Sequence, residues 1–362
     1  MLVKAQVLKP GFILKRDIYS RSTAPLMRAG TVLTEEHIAF LRAFLIQSVE
    51  VESHLSSGQK LMAKDVAAEN QSEQPSEEIG NSSRPKTLND QYREAVLCYA
   101  AFFKNWQSGA GLDIGLFRKI MIPLLEGVMK DPAWLSRYLT GTMMTRSHAD
   151  RNIALGLLAA FLARKLNESP GDVTQIGLVG MLADCGLSKL PPSLFNHEGH
   201  YIGGDHTLFE RHVADSYTLL RNVPSLKDEF VIAVTQHHEL EDGSGYPLHL
   251  TGNQMSIPGK ILAVCDHLLD EMTKEHRNGS IISCMDWMAA NEFGKLSKYI
   301  LDKLEMEIMT LFIGTKVELS TGQRGKIQFV MDEFPTRPII SLDSNQVIAL
   351  SANRALRIVS VG

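Results

Sequence analysis

The sequence is poor in several of the features that would mark a specialised class. It has only four cysteines in 362 residues (Cys98, Cys185, Cys265, Cys284), none in CxxC spacing. Neither a disulfide framework nor a zinc knuckle is therefore indicated, and a reducing compartment is expected. The longest apolar run, Ile153 to Ala163, is bounded by Asn152 and Arg164 and is too short to cross a bilayer. The start, MLVKAQVLKPGF, lacks the apolar stretch of a secretory signal, so a cytoplasmic protein that makes no use of a membrane is expected. Charge of one sign is missing too. Lys+Arg 37 against Asp+Glu 41 leaves −4, which argues against a broad electrostatic grip on a nucleic-acid polymer. No Gly-rich phosphate loop and no Ser/His/Asp arrangement can be read.

What is present divides the chain. Residues 1–54 carry turn signals (Lys9-Pro10-Gly11, Ala29-Gly30) between short strand candidates at Phe12–Ile18, Thr31–Leu33 and Val49–Val51, with a short helix opened by Thr34. Residues 55–88 are rich in Ser, Glu, Gln and Asn and poor in large apolar side chains, the composition of a linker. From 89 to 310 the apolar period is helical, with expected helices at Leu112–Met129, Ala133–Thr140, Asn152–Leu166, Gly177–Leu182, Thr207–Leu220, Lys227–His238 and Ile257–Met272. After 311 the period returns to two, with strand candidates at Thr315–Ser320, Gly325–Met331, Pro338–Leu342 and Leu356–Val361. The expected architecture is a multi-domain α+β chain: a β-rich N-terminal module, a central all-α domain and a small antiparallel β module.

One string stands out: Gln236-His237-His238-Glu239-Leu240-Glu241-Asp242-Gly243-Ser244-Gly245-Tyr246-Pro247. Adjacent histidines at a helix end can offer imidazole nitrogens to a transition metal, and carboxylates complete a harder site. Asp184 and Asp266 each sit in apolar surroundings, where an unpartnered carboxylate would be costly. Cys185 and Cys265 read as buried small hydrophobes.

HHELEDGSGYP resembles the signature of the HD-GYP family, metal-dependent phosphodiesterases of the HD superfamily that hydrolyse cyclic di-GMP. VGMLADCGLSKLP (179–191) is similar to the family's HD helix and turn, Glu210–Val213 to a helix bearing a further histidine, and IPGKILAVCD (257–266) to the segment ending in the last aspartate. Ser147-His148 stands where the family has its first histidine. The β tail from Gly314 and the VLKPGF start also resemble modules that accompany the family. The resemblance implies metal ligands at His148, Asp184, His212, His237, His238 and Asp266, with Asp184 bridging and a metal-activated water attacking phosphorus. It implies Mn or Fe as cofactor, cyclic di-GMP as substrate with pGpG or GMP as product, and a place in bacterial second-messenger signalling. The turn Gly243, Gly245, Tyr246 and Pro247 becomes a substrate- or partner-binding segment, with GGDEF-domain diguanylate cyclases and a homodimer as the protein partners to consider.

Two departures qualify this. Ala183 replaces the histidine of the HD dyad, and Leu187 replaces the lysine of the following turn, leaving Lys189 as the lysine candidate for a catalytic role. Asp184, His212, His237 and His238 resemble a complete set for one metal. The second site keeps His148, Asp266 and Asp184 but loses the ligand at 183. Met144, one turn ahead of His148, replaces an acidic ligand and argues against a third metal. The alternative is a catalytically inactive HD-GYP-like protein that senses cyclic dinucleotides or docks proteins.

Overall fold

The structure is a computed structural model that describes the chain apart from residues 6, 20–24, 36, 39–40, 42–45, 47, 60–85, 143–146, 197–198 and 274–279. Most of the expected linker, Met144 and His197 lie outside the described residues. The chain forms two compact units, Met1–Ile120 and Met121–Gly362.

In the first unit, β1 (Leu2–Lys4) pairs antiparallel with β4 (Ser48–Glu50), and β2 (Ile18–Tyr19) with β3 (Pro25–Met27). Isolated bridges join Ile13 to Val32 and Leu14 to Val51. Alternation along these segments buries Val3, Phe12, Leu14, Leu33, Leu41, Val49 and Val51 in one core. The helix α1 (Leu88–Gln107) starts at a capping box, Thr87 with Asp90. Expected to go with the central domain, α1 instead packs in this unit, where Tyr99, Phe102 and Trp106 form an aromatic cluster with Phe117.

The helix α2 (Ile114–Lys130) runs through the division and is followed by α3 (Ala133–Arg137), a π-turn at Tyr138–Thr142, α4 (His148–Lys165) and α5 (Pro170–Met181). Ser147 and Ser169 cap α4 and α5 through the backbone N–H groups of Asp150 and Asp172. The α5 helix begins seven residues before its expected start, because Ser169-Pro170 is itself a helix-opening pair. Residues Ala149 and Asn152–Ala163 of α4 are buried nearly all round, which is why its sequence shows so little amphipathic period. The chain continues through a 3₁₀ turn at Cys185–Lys189 and another at Pro192–Leu194, then α6 (His206–Glu210), α7 (His212–Leu220) and α8 (Asp228–Val234). The single helix expected over Thr207–Leu220 is thus broken at Arg211, and α8 stops four residues short of His238. The last helices are α9 (Ile257–Thr273), α10 (Ile281–Asn291) and α11 (Lys298–Leu311).

Five antiparallel strands close the second unit: β5 (Lys316–Leu319), β6 (Arg324–Met331), β7 (Phe334–Leu342), β8 (Val347–Ala349) and β9 (Ile358–Val361), in the order β8-β7-β6-β5-β9. Arg337 grips Asp286 of α10 with Nε at 3.1 Å and Nη2 at 2.9 Å, and Thr336 donates to the same carboxylate, so the sheet is fastened to the helices. Among the described residues no helix is long and apolar enough to cross a membrane.

Glu305 of α11 is buried, and its Oε1 has no hydrogen-bond partner among the described residues. Burial, helped by the charges of Asp302 and Asp286, pushes its carboxyl from 4.5 up to about 8. Between those values the folded protein holds a proton that the unfolded chain has released. Stability from this group is therefore complete below pH 4.5 and falls as pH rises towards 8. Glu305→Gln is expected to leave Tm little changed at pH 5 and to raise it by about 5 °C at pH 8.5. Thermal melts at the two pH values check this; equal shifts at both would contradict it.

Candidate metal centre

The site lies in the second unit, where four separate elements converge. Met181 ends α5, and the chain turns through the buried Ala183 and Asp184 into the 3₁₀ turn. That turn lies directly against α7: a Cβ on Gly186 would run into the carbonyl of His212 and the backbone and side chain of Ser216. Only glycine permits this approach. The Gly186 N–H donates to Ser216 Oγ at 2.8 Å, which locks Asp184 beside His212.

His212 opens α7, and its Nε2 lies 3.1 Å from Asp184 Oδ1. His237 reaches the same oxygen with Nε2 at 3.3 Å. Both rings are oriented from behind: His212 Nδ1 donates to the Phe209 carbonyl and His237 Nδ1 to the Val234 carbonyl, each at 2.6 Å. With Nδ1 of each ring bonded to a carbonyl, both Nε2 atoms face the carboxylate, 3.4 Å from each other, where each can donate a proton to Asp184 or, once deprotonated, give its lone pair to a cation. A cation between them would satisfy all three groups at once. His238 offers a third imidazole, its Nε2 buried and without a hydrogen-bond partner among the described residues. One ligand atom from each of Asp184, His212, His237 and His238 lies within 4.8 Å of the others. Three imidazoles and a carboxylate suit a divalent transition metal, so the residues fit the group that the fold implies.

The electrostatics agree. Burial works against a charged Asp184, yet hydrogen bonds from His212 and His237 and the charge of Arg151 hold its carboxyl well below the usual range. Burial first, and then the charge of His237, lowers His238 to about 4. Burial alone would lower His237 as well, but its bond to Asp184 and the charges of Asp266 and Asp184 leave it raised.

A second layer surrounds this set. Asp266, in the middle of α9, accepts from His238 Nδ1 at 3.1 Å. Arg151 of α4, one turn after His148, donates from Nη1 to Asp184 Oδ2 at 3.2 Å. Its Nη2 pairs with Asp266 Oδ1 at 2.8 Å and also with Asp270. Burial opposes the guanidinium charge, but these three carboxylates raise its pKa well above the ordinary value. His148 is buried in the same cavity, lowered to about 4 by burial, with Asn152 against its ring, but lies outside the four-residue cluster.

The cavity has a volume of about 560 Å³, ordinary for a small-ligand site. Tyr201, Phe209 and Tyr246 line it together with His148, Asp184, His237, His238 and Asp266, whereas His212 is not among its lining residues. The glycine turn wraps the histidines. A Cβ on Gly245 would strike the backbone of His238, Glu239 and Leu240, and the Tyr246 N–H donates to the His238 carbonyl at 3.1 Å. The buried Glu239 carboxylate accepts from the N–H groups of Leu248 and Leu250, holding the chain after Pro247. Gly245 and Tyr246 line the cavity, whereas Gly243 and Pro247 shape the turn without being among its lining residues. Lys189 is exposed at the end of the 3₁₀ turn, and Leu187, not Lys189, faces the cavity.

Sequence reasoning overlooked Arg151 and gave His200 no role, and both line the cavity. Arg151 follows His148 at i+3, so the two share a helix face, and that spacing was the available signal. His200 stands three residues after His197, a spacing that could hold a metal on paper, but its Gly-rich loop argued against that role.

Residues 137–291 match the family model of the HD domain. The chain is 25% identical over 268 residues to the cyclic di-GMP phosphodiesterase PA4108 of Pseudomonas aeruginosa, an alignment covering 68% of this chain and 62% of the relative. It is 32% identical over 126 residues to a cyclic di-GMP phosphodiesterase of Thermotoga maritima, covering 34% and 33%. The chain therefore spans less than two thirds of either relative's length. Among solved structures it is similar to Bd1817, an HDG"Y"P protein from Bdellovibrio bacteriovorus, with TM-score 0.48, 12% identity, and coverage of 84% of this chain and 97% of that one.

Proposed function

As the chain is a member of the HD-GYP family, we propose that it hydrolyses a phosphodiester of cyclic di-GMP, with one divalent metal, Mn or Fe, held by Asp184, His212, His237 and His238. The observation that supports this most is the convergence of two Nε2 atoms on one carboxylate oxygen, with the third imidazole beside them. When bound, a metal there would supply Lewis-acid polarisation of the phosphate and activation of water.

The protein's own residues perform the remaining tasks. The Phe209 and Val234 carbonyls keep His212 and His237 in the tautomer that presents Nε2. Arg151, buried and fixed by carboxylates, places a permanent positive charge at the cavity wall, where negative charge grows on the phosphate oxygens. Tyr201, Phe209 and Tyr246 offer aromatic faces suited to a guanine base. Ala183 and Leu187 weaken the second metal site and remove a phosphate contact, so turnover slower than that of a complete HD dyad is the expected outcome.

Protein purified without oxygen and supplied with Mn²⁺ or Fe²⁺ is expected to convert cyclic di-GMP to pGpG or GMP, and Asp184→Asn is expected to abolish the conversion. Folded, metal-loaded wild type that binds cyclic di-GMP without cleaving it would overturn the enzyme and leave a sensor.

A further inference from the structure

We propose that the Arg151 guanidinium occupies the second cation position of this centre, so that the protein is a one-metal member of its fold by construction. The inference rests on the one-metal reading above and deepens it. Its starting point is a misfit. A second ion would need Asp184, Asp266 and His148 with a fourth ligand from position 183, and the buried Ala183 has only a methyl group to offer. The space between the two aspartates is taken instead by a side chain. Arg151 reaches Asp184 Oδ2 through Nη1, at 3.2 Å, and Asp266 Oδ1 through Nη2, at 2.8 Å. Asp270, 119 residues along the chain from Arg151, receives the same nitrogen. The side chain is only 15% exposed, and it lines the cavity.

Charge supports the assignment. The oxygen of Asp184 that faces His212 and His237 belongs to the metal cluster, and the other oxygen belongs to Arg151. With a metal held by the cluster, Asp184 would face a cation on each of its two oxygens, one of them covalently part of the protein. Three carboxylates, Asp184, Asp266 and Asp270, would be balanced by one divalent ion and the guanidinium. A second divalent ion would leave a surplus of positive charge in a buried site and would sit against the guanidinium. The planar fork suits this role better than an ammonium would, because it serves separate carboxylates in fixed directions.

Metal per chain, measured by elemental analysis after Mn²⁺ loading and desalting, tests the assignment without reference to turnover. Wild type is expected to hold one ion, and Arg151→Lys is expected to remain at one. Arg151→Ala combined with Ala183→His frees three carboxylates beside His148, supplies the fourth ligand and is expected to rise to two. Should that variant not fold, Ala183→His in the otherwise native chain keeps the proposal exposed. The restored imidazole is expected to leave the count at one while Arg151 stays in place. Two ions in wild type or in Ala183→His, or one in the folded double variant, would overturn the role of Arg151 and leave the cluster at Asp184 intact. No ion in wild type would overturn both readings, a distinct result.

Discussion

His237→Ala is expected to empty the metal centre and remove phosphodiesterase activity by at least about 100-fold, since even residues that merely orient metal ligands cost 10- to 100-fold when lost. His237 is the member of the cluster with the fewest substitutes. Its Nε2 faces both Asp184 Oδ1 and His212 Nε2, and its Nδ1 is anchored to the Val234 carbonyl. Removing the ring leaves the Asp184 carboxylate with one imidazole fewer and opens a buried hole beside His212. The fold itself should survive, because His237 lies in the turn after α8 rather than in a helix interior. Metal titration by calorimetry, with circular dichroism to confirm folding, checks this. A folded variant that binds metal with unchanged affinity would contradict the ligand assignment.

Gly186→Ala is expected to be the most disruptive single-methyl change in the second unit. The added Cβ has no free volume, since it meets the His212 carbonyl and the Ser216 backbone, neither of which can rotate away. Overpacking of this kind costs about 1–3 kcal/mol or more. Here the cost falls on the contact that positions Asp184 against His212. A lower Tm should therefore come with weaker metal binding, the two losses tracking each other. A Gly186→Ala protein with native Tm but no metal binding would show that the turn does not couple packing to the site.

The chemistry of the centre was legible in the sequence where it is local. His237, His238, the glycine turn and the two aspartates in apolar settings announce themselves within a few residues, because burying a carboxylate or pairing histidines needs a reason that composition does not supply. His212 Nε2 lies 3.1 Å from Asp184 Oδ1. What could not be read is what arises between distant segments. Arg151 and Asp184 are 33 residues apart, and nothing in the local pattern says that a guanidinium at the start of α4 points towards the end of α5 rather than to solvent. The same reason explains α1. Its aromatic face is plain in the sequence, but a helical period does not tell which core the face enters. Helix ends were misjudged where tertiary contact decides. Periodicity runs straight through Arg211, but the break there turns the His212 ring onto the Phe209 carbonyl. Likewise α8 ends at Val234, so that Gln236 can accept from Ser256 and His237 and His238 can face inward from a turn.

The central claim is one divalent ion held by Asp184, His212, His237 and His238 with Arg151 in place of a second. The most direct measurement is an anomalous difference map from crystals of the Mn²⁺-loaded protein. The account expects a single strong peak within ligand distance, roughly 2.0–2.3 Å, of those four side chains, and the Arg151 guanidinium between Asp184 and Asp266. A peak between His148, Asp184 and Asp266, with Arg151 displaced from the carboxylates, would contradict it.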